Sequence, residues 1–332
     1  MNKVSVVIVS PALADANNGN WQTAHRWQQM LAPNYRTRIV RDWHDADTAQ
    51  DSVMIALHAR RSAAPIAAWA AAHPGRGLVV VLTGTDLYRD IHTDALAQQS
   101  IALAQRLVVL QEKGPDELPA ALRGKTRVIF QSTPARQTLP KTRRHLRAVM
   151  VGHLREEKSP ETLMHAARLL KGEPLILIDH IGDPLDPALG EQARATAAEC
   201  PNYRWLGGLP HEEVRRRIQR AHVLVHASRM EGGAHVIMEA VRSGTPVLAS
   251  RVPGNVGMLG DDYAGYFPHG DAAALAEGLR RCAAGLANPQ LHAPAGDLRQ
   301  LIAQCARRAP LFDPAAERRH LHLLIHEILE SP

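Results

Sequence analysis

Two glutamates that flank a pair of glycines are the residues of this sequence best placed to do chemistry. Seven residues separate Glu231 from Glu239, and Gly232 and Gly233 directly follow the first glutamate. Glycines let backbone N–H groups approach a ligand closely, and the start of a following helix offers partial positive charge to an anion. We therefore expect this loop to bind a diphosphate and each carboxylate to bind hydroxyl groups beside it. A capped surface helix with incidental glutamates is the alternative interpretation.

A second glycine-containing loop carries cations. Gly152 follows the first β-branched run of the second half of the chain, and Arg155 and Lys158 come shortly after it. Positively charged side chains stabilise the negative charge that builds on a departing diphosphate. The loop therefore predicts the cationic side of the same site. A solvated, charged helix start is the alternative here.

The elements that must position these loops follow from hydrophobic patterning. Short β-branched runs recur about every 20 to 30 residues and alternate with alanine-rich stretches of helical spacing. This alternation predicts an α/β fold of two doubly wound, Rossmann-like domains that face each other across a cleft. A basic, proline-interrupted run before residue 145 predicts the linker, so the domains would span 1–145 and 146–312. Residues 313–332 predict an amphipathic helix that packs back on the N-terminal domain.

Composition and charge exclude several classes of protein. The three cysteines lie far apart without a Cys-x-x-Cys pair, which argues against a disulfide scaffold or a structural zinc. No apolar run approaches the ~20 residues that span a bilayer, and no signal peptide is evident, so we expect a cytoplasmic protein without a membrane partner. The formal net charge of +6 suits an anionic ligand. Scattered arginines and few aromatics argue against nucleic acid as that ligand.

The two loops resemble those of the GT-B glycosyltransferases of family four, whose hallmarks include a G-R-L-x-x-x-K loop and an E-x(7)-E element. The resemblance covers nearly the whole chain. It implies a nucleotide-sugar donor, with Lys158 on the diphosphate, Glu231 on the transferred sugar and Glu239 on the ribose. Gly19 would face the phosphates from the N-terminal domain. The resemblance also implies donor contacts from Gly152, His153, Gly208, Leu209, Gly232, Gly233 and Ala234.

Two positions depart from the family pattern. His153 stands where the family has an arginine, and we expect Arg155 to take over that contact with the leaving phosphate. Thr83 stands where many relatives place a histidine near the reacting sugar. An acceptor that needs no general base would tolerate this second change.

Three runs in the N-terminal half, 10–24, 56–62 and 82–88, resemble a narrower group of enzymes from bacterial selenoneine biosynthesis. The resemblance implies transfer of selenium from selenophosphate to the anomeric carbon of a UDP-sugar, typically UDP-N-acetylglucosamine, with release of UDP and phosphate. It also implies pathway partners that supply selenophosphate. Because selenophosphate is an anion with a nucleophilic selenium, its site needs cations and hydroxyl donors. The acceptor-site candidates are Asn18, Asn20, Arg60, Arg61, Thr83, Thr85 and Ser132.

No metal or other cofactor is expected, because fixed cations would stabilise the leaving diphosphate. One D-x-D run, Asp45-Ala46-Asp47, lies in a polar stretch without neighbouring ligands and is interpreted as a solvated loop. Two alternative functions stay open. One is a glycosyltransferase of the same fold that acts on a hydroxyl acceptor, and the other is a nucleotide-sugar-binding protein without catalysis.

Overall fold

The computed structural model describes residues 3–14, 19–44, 51–287 and 297–330. They belong to two compact units, one formed by Met1–Ser132 with Pro314–Pro332 and the other by Thr133–Asp313. Each unit contains a six-stranded parallel sheet with helices in the connections between its strands. The predicted α/β fold of two doubly wound halves is therefore confirmed.

The first unit has the strand order β2-β1-β3-β4-β5-β6. Its strands are β1 Ser5–Val9, β2 Arg36–Val40, β3 Val53–Leu57, β4 Leu78–Leu82, β5 Arg106–Val109 and β6 Thr126–Val128. Its helices before residue 133 are α1 Gly19–Leu31, α2 Ala63–Ala72, α3 Ile91–Thr93, α4 Ala95–Leu103 and α5 Ala120–Arg123.

Both faces of this first sheet are buried, because the strands are apolar at consecutive positions. Val7 and Val9 of β1 belong to one apolar cluster, and Val6 and Ile8 belong to a second cluster on the other face. Neither cluster could form with an alternating polar strand, since successive side chains point to opposite faces. Because the runs are apolar on both faces, helices must cover the sheet on both sides.

The second unit has the strand order β12-β11-β10-β7-β8-β9. Its strands are β7 Leu146–Val151, β8 Ile176–Ile181, β9 Tyr203–Trp205, β10 Val223–His226, β11 Val247–Ser250 and β12 Tyr266–Phe267. Its helices are α6 Pro160–Leu169, α7 Pro187–Glu199, α8 His211–Arg220, α9 His235–Arg242, α10 Pro253–Leu259, α11 Ala272–Ala287 and α12 Leu298–Arg308.

The boundary between the units falls after Ser132 instead of near residue 145. The proline-interrupted run is hydrogen-bonded to the second unit, which explains the difference. The Thr138 hydroxyl donates to the Ser243 carbonyl over 2.7 Å, and the Lys141 ammonium donates to Thr245 Oγ1 over 3.2 Å. Charge and proline content in this stretch therefore mark an extended segment that packs on the second unit.

A last helix, α13 (Pro314–Glu330), belongs to the first unit. Its apolar stripe of Leu321, Leu324, Ile325 and Ile328 joins the cluster that contains Trp27 of α1. Burial of each such side chain contributes about 1.5–3 kcal/mol to folding.

A buried carboxylate on α13 fixes the same contact. Glu317 is fully buried and accepts from the indole Nε1 of Trp27 over 2.6 Å and from Arg26 Nε over 3.0 Å. The Ser132 hydroxyl donates to the other side of this network, over 2.5 Å to Glu317 Oε2. Ser132 is itself buried, so its hydroxyl holds α13 and is not free for an acceptor as the sequence suggested.

Among the described residues, no helix combines the length and the apolar character needed to cross a bilayer.

Candidate active site

Glu231 and Lys158 meet at the carboxyl edge of the second sheet. Glu231 lies in the loop after β10, and Lys158 lies in a 3-10 turn over Glu156–Lys158 after β7. These two strands are neighbours in the sheet, so their following loops open at the same edge. The Lys158 ammonium donates to Glu231 Oε1 over 2.5 Å. The structure thus brings together two residues that are 73 positions apart in sequence.

A third side chain completes this cluster. His226, the last residue of β10, places Nε2 3.2 Å from the same Oε1 atom of Glu231. The Glu231 side chain is only 10% exposed and that of Lys158 19%. Sequence reasoning missed His226, although a histidine that ends a buried apolar strand is itself an unusual signal.

Opposing effects set the pKa of Glu231. Burial raises it, but the charge of Lys158 and the contact with His226 lower it more, and the net pKa lies well below the usual range. Glu231 is therefore a carboxylate at neutral pH. With Oε1 held by Lys158, the group has a fixed orientation from which it can accept hydrogen bonds from a sugar.

The loop that carries Glu231 packs tightly against the start of α10. A Cβ added at Gly254 would come within 1.9 Å of the Glu231 carbonyl oxygen, so a side chain there would displace the loop. Gly254 follows Pro253 at the first turn of the helix, where proline needs no N–H partner. The position of Glu231 thus depends partly on Gly254, which lies in the helix that follows β11.

Glu239 lies in α9 and is almost completely buried. Its Oε1 accepts from Arg215 Nε over 3.0 Å and lies 2.8 Å from His211 Nε2. Burial raises the pKa of Glu239, but the hydrogen bond and charge of His211, with smaller contributions from His235 and Arg215, bring it below the usual value. Both glutamates of the E-x(7)-E element are therefore ionised and already engaged with cations or imidazoles.

The predicted donor residues in the loop after β7 have different surroundings. Gly152 lies against the aliphatic stem of Lys158, and a Cβ added at this glycine would lie 3.5 Å from Lys158 Cδ. Arg155 instead turns toward Glu157, 3.8 Å away, and its side chain is 51% exposed. His153 uses Nδ1 to accept the Asp183 amide over 3.2 Å. The geometry places Lys158 in the Glu231 cluster and leaves Arg155 and His153 outside it.

The glycine loop before α9 has one amide already in use. The Ala234 N–H donates to Met258 Sδ over 3.1 Å, and Ala234 is buried. Gly232 is buried as well, and Gly233 is half-buried. The Ala234 amide thus anchors the loop to Met258. An anion at the start of α9 would have to accept hydrogen bonds from other amides.

The loop that carries the predicted donor contacts Gly208 and Leu209 precedes α8. Gly208 is exposed and Leu209 half-buried. A Cβ at Gly208 would lie 2.2 Å from Asp183 Oδ1, so a side chain there would displace the exposed Asp183 carboxylate. His211 and Glu239 connect this segment to α9.

In the first unit, four of the predicted acceptor residues lie in the loops after β3 and β4: Arg60, Arg61, Thr83 and Thr85. Gly19 is the exposed first residue of α1, and Asn20 is half-buried. Arg60 pairs with Asp94 over 2.9 Å. Arg61 is exposed, and no side-chain hydrogen bond or ion pair joins it to the described residues. Asn18 and the D-x-D run at 45–47 lie outside the described residues.

A histidine that sequence reasoning missed lies between these loops. His58 follows β3 with φ 71°, an uncommon left-handed backbone, and it is almost fully buried. Its Nε2 is 3.3 Å from Thr85 Oγ1, and its Nδ1 accepts the Arg61 amide over 3.3 Å. Burial lowers the pKa of His58, while the charge of Asp86 raises it by less. The ring is therefore neutral at pH 7, with its proton on Nε2 toward Thr85.

Asp86 ties the loops after β3 and β4 together. This fully buried carboxylate accepts the amide of Ala59 over 3.0 Å and the amides of Thr83 and Gly84 over 2.9 Å each. The two strands are neighbours in the sheet, which brings their loops within reach. Thr83 and Thr85 are both half-buried at this junction. His58 thus approaches Thr85, two residues beyond Thr83, where the family pattern has its histidine.

No group of three or more histidine, cysteine or acidic side chains in the described ranges is arranged to hold a metal ion.

Comparison with known proteins agrees with this architecture. Residues 131–285 match the model of the family described as Glycosyl transferases group 1. The Anabaena protein HepE, solved in complex with UDP, has a TM-score of 0.74 at 15% identity and is matched over 98% of this chain and 100% of that one. Sucrose-phosphate synthase from Thermosynechococcus elongatus has a TM-score of 0.74 at 16% identity, with both chains fully covered. At such identities the likeness establishes the fold, which is that of the GT-B glycosyltransferases.

Two curated relatives match shorter stretches. Glycosyltransferase 1 domain-containing protein 1 of Xenopus tropicalis is 29% identical over 116 residues, which are 35% of this chain and 33% of that protein. D-inositol 3-phosphate glycosyltransferase of Corynebacterium efficiens is 37% identical over 113 residues, 31% of this chain and 26% of that protein. The matches thus span a third or less of these relatives. The segment 131–285, which matches the glycosyl transferases group 1 model, holds Lys158, Glu231 and Glu239.

Proposed function

We propose that this protein is a glycosyltransferase that takes a UDP-sugar as its donor. The observation that carries the proposal is the buried, ionised Glu231 held by Lys158 inside the segment that matches the group 1 family. A structural neighbour of the whole chain was solved with UDP, which supports a uridine nucleotide as the donor class. The scheme uses no metal, because the Lys158 ammonium supplies the cation at the leaving phosphate.

Lys158 and Glu231 have complementary roles in this reaction. The costly event is breakage of the bond between the anomeric carbon and the β-phosphate oxygen, which builds positive charge on the sugar and negative charge on the phosphate. Lys158 stabilises the phosphate, and loss of one such contact typically costs about 3 kcal/mol. Glu231 accepts hydrogen bonds from the hexose and orients it. Glu239, fixed by His211 and Arg215, accepts from the ribose hydroxyls.

For the acceptor we propose selenophosphate, which makes the protein a selenosugar synthase of selenoneine biosynthesis. Selenium donates an electron pair to the anomeric carbon while UDP departs with the pair from the broken C–O bond. Water then cleaves the Se–P bond and releases phosphate, leaving a 1-selenosugar. Arg61, with no side-chain partner among the described residues, together with the Thr83 and Thr85 hydroxyls, supports an anionic acceptor on the first unit.

A hydroxyl acceptor is the second candidate, and His58, near Thr85, is the histidine that would have to serve as its base. A hydroxyl needs a base to take its proton. In the observed arrangement, however, Nδ1 already accepts the Arg61 amide, so Nε2 carries the proton and acts as a donor. His58 therefore suits the binding of an anion better than the deprotonation of an alcohol.

An acceptor panel tests the proposal. UDP release from UDP-N-acetylglucosamine would be measured anaerobically with selenophosphate, thiophosphate, phosphate, an alcohol or no acceptor, and the products identified by mass spectrometry. Selenophosphate-dependent UDP release with a selenium-bearing hexose is the expected result. Release that depends on the alcohol alone would transfer the assignment to the second candidate. UDP binding without release under every condition would leave a nucleotide-sugar-binding protein.

A further inference from the structure

A cavity of about 240 Å³ in the second unit is lined only by charged residues. It lies where β7 and β8 face α8, and it shares no lining residue with the Glu231 cluster. Four of its six lining residues are arginines and two are acidic: Arg147, Asp179, Glu213, Arg216, Arg217 and Arg220.

The register of the sheet explains why charges meet here. Val149 of β7 lies opposite Asp179 of β8, and Asp179 lies opposite Arg204 of β9. Arg147, two residues before Val149, therefore shares a face with Asp179 and Arg204. Parallel strands in a doubly wound sheet ordinarily carry apolar residues on both faces. Charged residues at three neighbouring positions mark this face as a place where the sheet meets something polar.

The acidic residues of the cavity are already neutralised. Asp179 accepts from Arg204 Nε over 2.8 Å and has Arg217 at 3.6 Å. Glu213 accepts from Arg217 over 3.0 Å. Arg204 and Arg217 thus satisfy both carboxylates.

Two lining arginines have no carboxylate partner among the described residues. Arg220 is exposed and unpaired there. The Nε atom of Arg147 is buried without a hydrogen-bond partner, and so is Nε2 of His145 two residues earlier. A buried N–H without an acceptor costs about 1–3 kcal/mol, so such groups are normally satisfied. The arginine charges also act on His145. Burial lowers the pKa of this histidine, and the charges of Arg147, Arg204 and Arg144 lower it further.

We propose that this cavity binds a small phosphate-class anion with two or more negative charges. Four guanidinium groups against two carboxylates leave an excess of positive charge on the lining, and guanidinium groups match phosphate oxygens in pairs. The volume is below the roughly 300–1,000 Å³ of sites for drug-sized molecules, so it suits a phosphate or diphosphate and not a whole nucleotide. The site is separate from the donor site of the proposed function and does not depend on it.

Isothermal titration calorimetry with inorganic pyrophosphate tests the site. The intact protein would be titrated beside Lys158→Ala, so that any binding at the Lys158 loop is measured separately. Arg147→Gln and Arg220→Gln should each weaken pyrophosphate binding about tenfold, because each removes charge-assisted hydrogen bonds. Arg307→Gln, an exposed arginine of α12 outside the cavity, should leave it unchanged.

Three outcomes would overturn the proposal. One is wild-type affinity for pyrophosphate in both cavity variants. Another is binding that only Lys158→Ala removes, which would place the anion at the donor loop. The third is absence of saturable binding at low ionic strength. Arg220 is exposed, so its variant keeps the test valid even if Arg147→Gln unfolds the protein.

Discussion

At the scale of single residues, the cluster of Glu231, Lys158 and His226 governs the candidate site. A lysine and a histidine contact the same carboxylate oxygen, and that carboxylate is buried. Such a group is ionised only because its partners outweigh its desolvation. The same balance links this site to the stability of the second unit.

Glu231→Gln should therefore lower the free energy of unfolding in a pH-dependent way. The folded pKa of Glu231 lies below its ordinary value of 4.5, so its stabilising contribution is fully present above that pH and is lost as the pH falls toward the folded value. We expect the variant to be less stable than wild type by about 2 kcal/mol at pH 7, and by less at pH 4. Urea denaturation at both values measures the two gaps.

Glu191→Gln is the matched control, because that side chain is 76% exposed and its ion pair is with Arg194 on its own helix. It should stay within about 0.5 kcal/mol of wild type at both pH values. A gap between wild type and Glu231→Gln that is equal at pH 7 and pH 4 would contradict the assigned pKa direction.

At the scale of elements, α13 completes the first unit through one buried carboxylate and one apolar stripe. Glu317 accepts from Trp27 and Arg26 of α1 and from Ser132, three partners that lie far from it in sequence. Removal of one member of a buried, charge-assisted network leaves the others without a partner. The helix that ends the described chain is thus part of the N-terminal fold.

Glu317→Gln tests this role of α13. The amide keeps the shape but loses the charge that pairs with Arg26 and replaces one accepting oxygen with an NH2 group, so we expect a loss of about 2–4 kcal/mol in stability. Thermal and urea unfolding would measure it. Glu330→Gln, on the same helix and exposed, should change stability by less than about 0.5 kcal/mol. Equal stability of both variants would show that the apolar stripe alone holds α13.

At the scale of the whole molecule, local sequence patterns predicted the helices and strands. The pairing of strands determines which side chains meet in the candidate site. The apolar runs indicated the strands of both sheets, and the E-x(7)-E and G-x(5)-K spacings indicated Glu231, Glu239 and Lys158. The contact between Lys158 and Glu231 depends on β7 lying beside β10, which no local pattern encodes. His58 was missed for the same reason, since its neighbours Thr85 and Asp86 come from the loop after the next strand.

Two residues of the predicted sites have other partners in the structure, for a related physical reason. Ser132 follows a strand of the first unit, but the distant Glu317 takes its hydroxyl. Arg155 has the charge expected of a phosphate ligand, but it turns toward Glu157 and solvent. Residue type predicts what a side chain is able to bind. Which partner it meets depends on tertiary packing.

The most direct test of the central claim compares Lys158→Met with Arg155→Met in the UDP-release assay, with UDP-N-acetylglucosamine and selenophosphate. Lys158 contacts the buried Glu231, whereas Arg155 does not. We predict that Lys158→Met reduces kcat about 100- to 1000-fold, because the leaving phosphate loses its fixed cation, while Arg155→Met stays within about threefold of wild type. Equal rates for Lys158→Met and wild type would contradict the assignment of this cluster as the donor site.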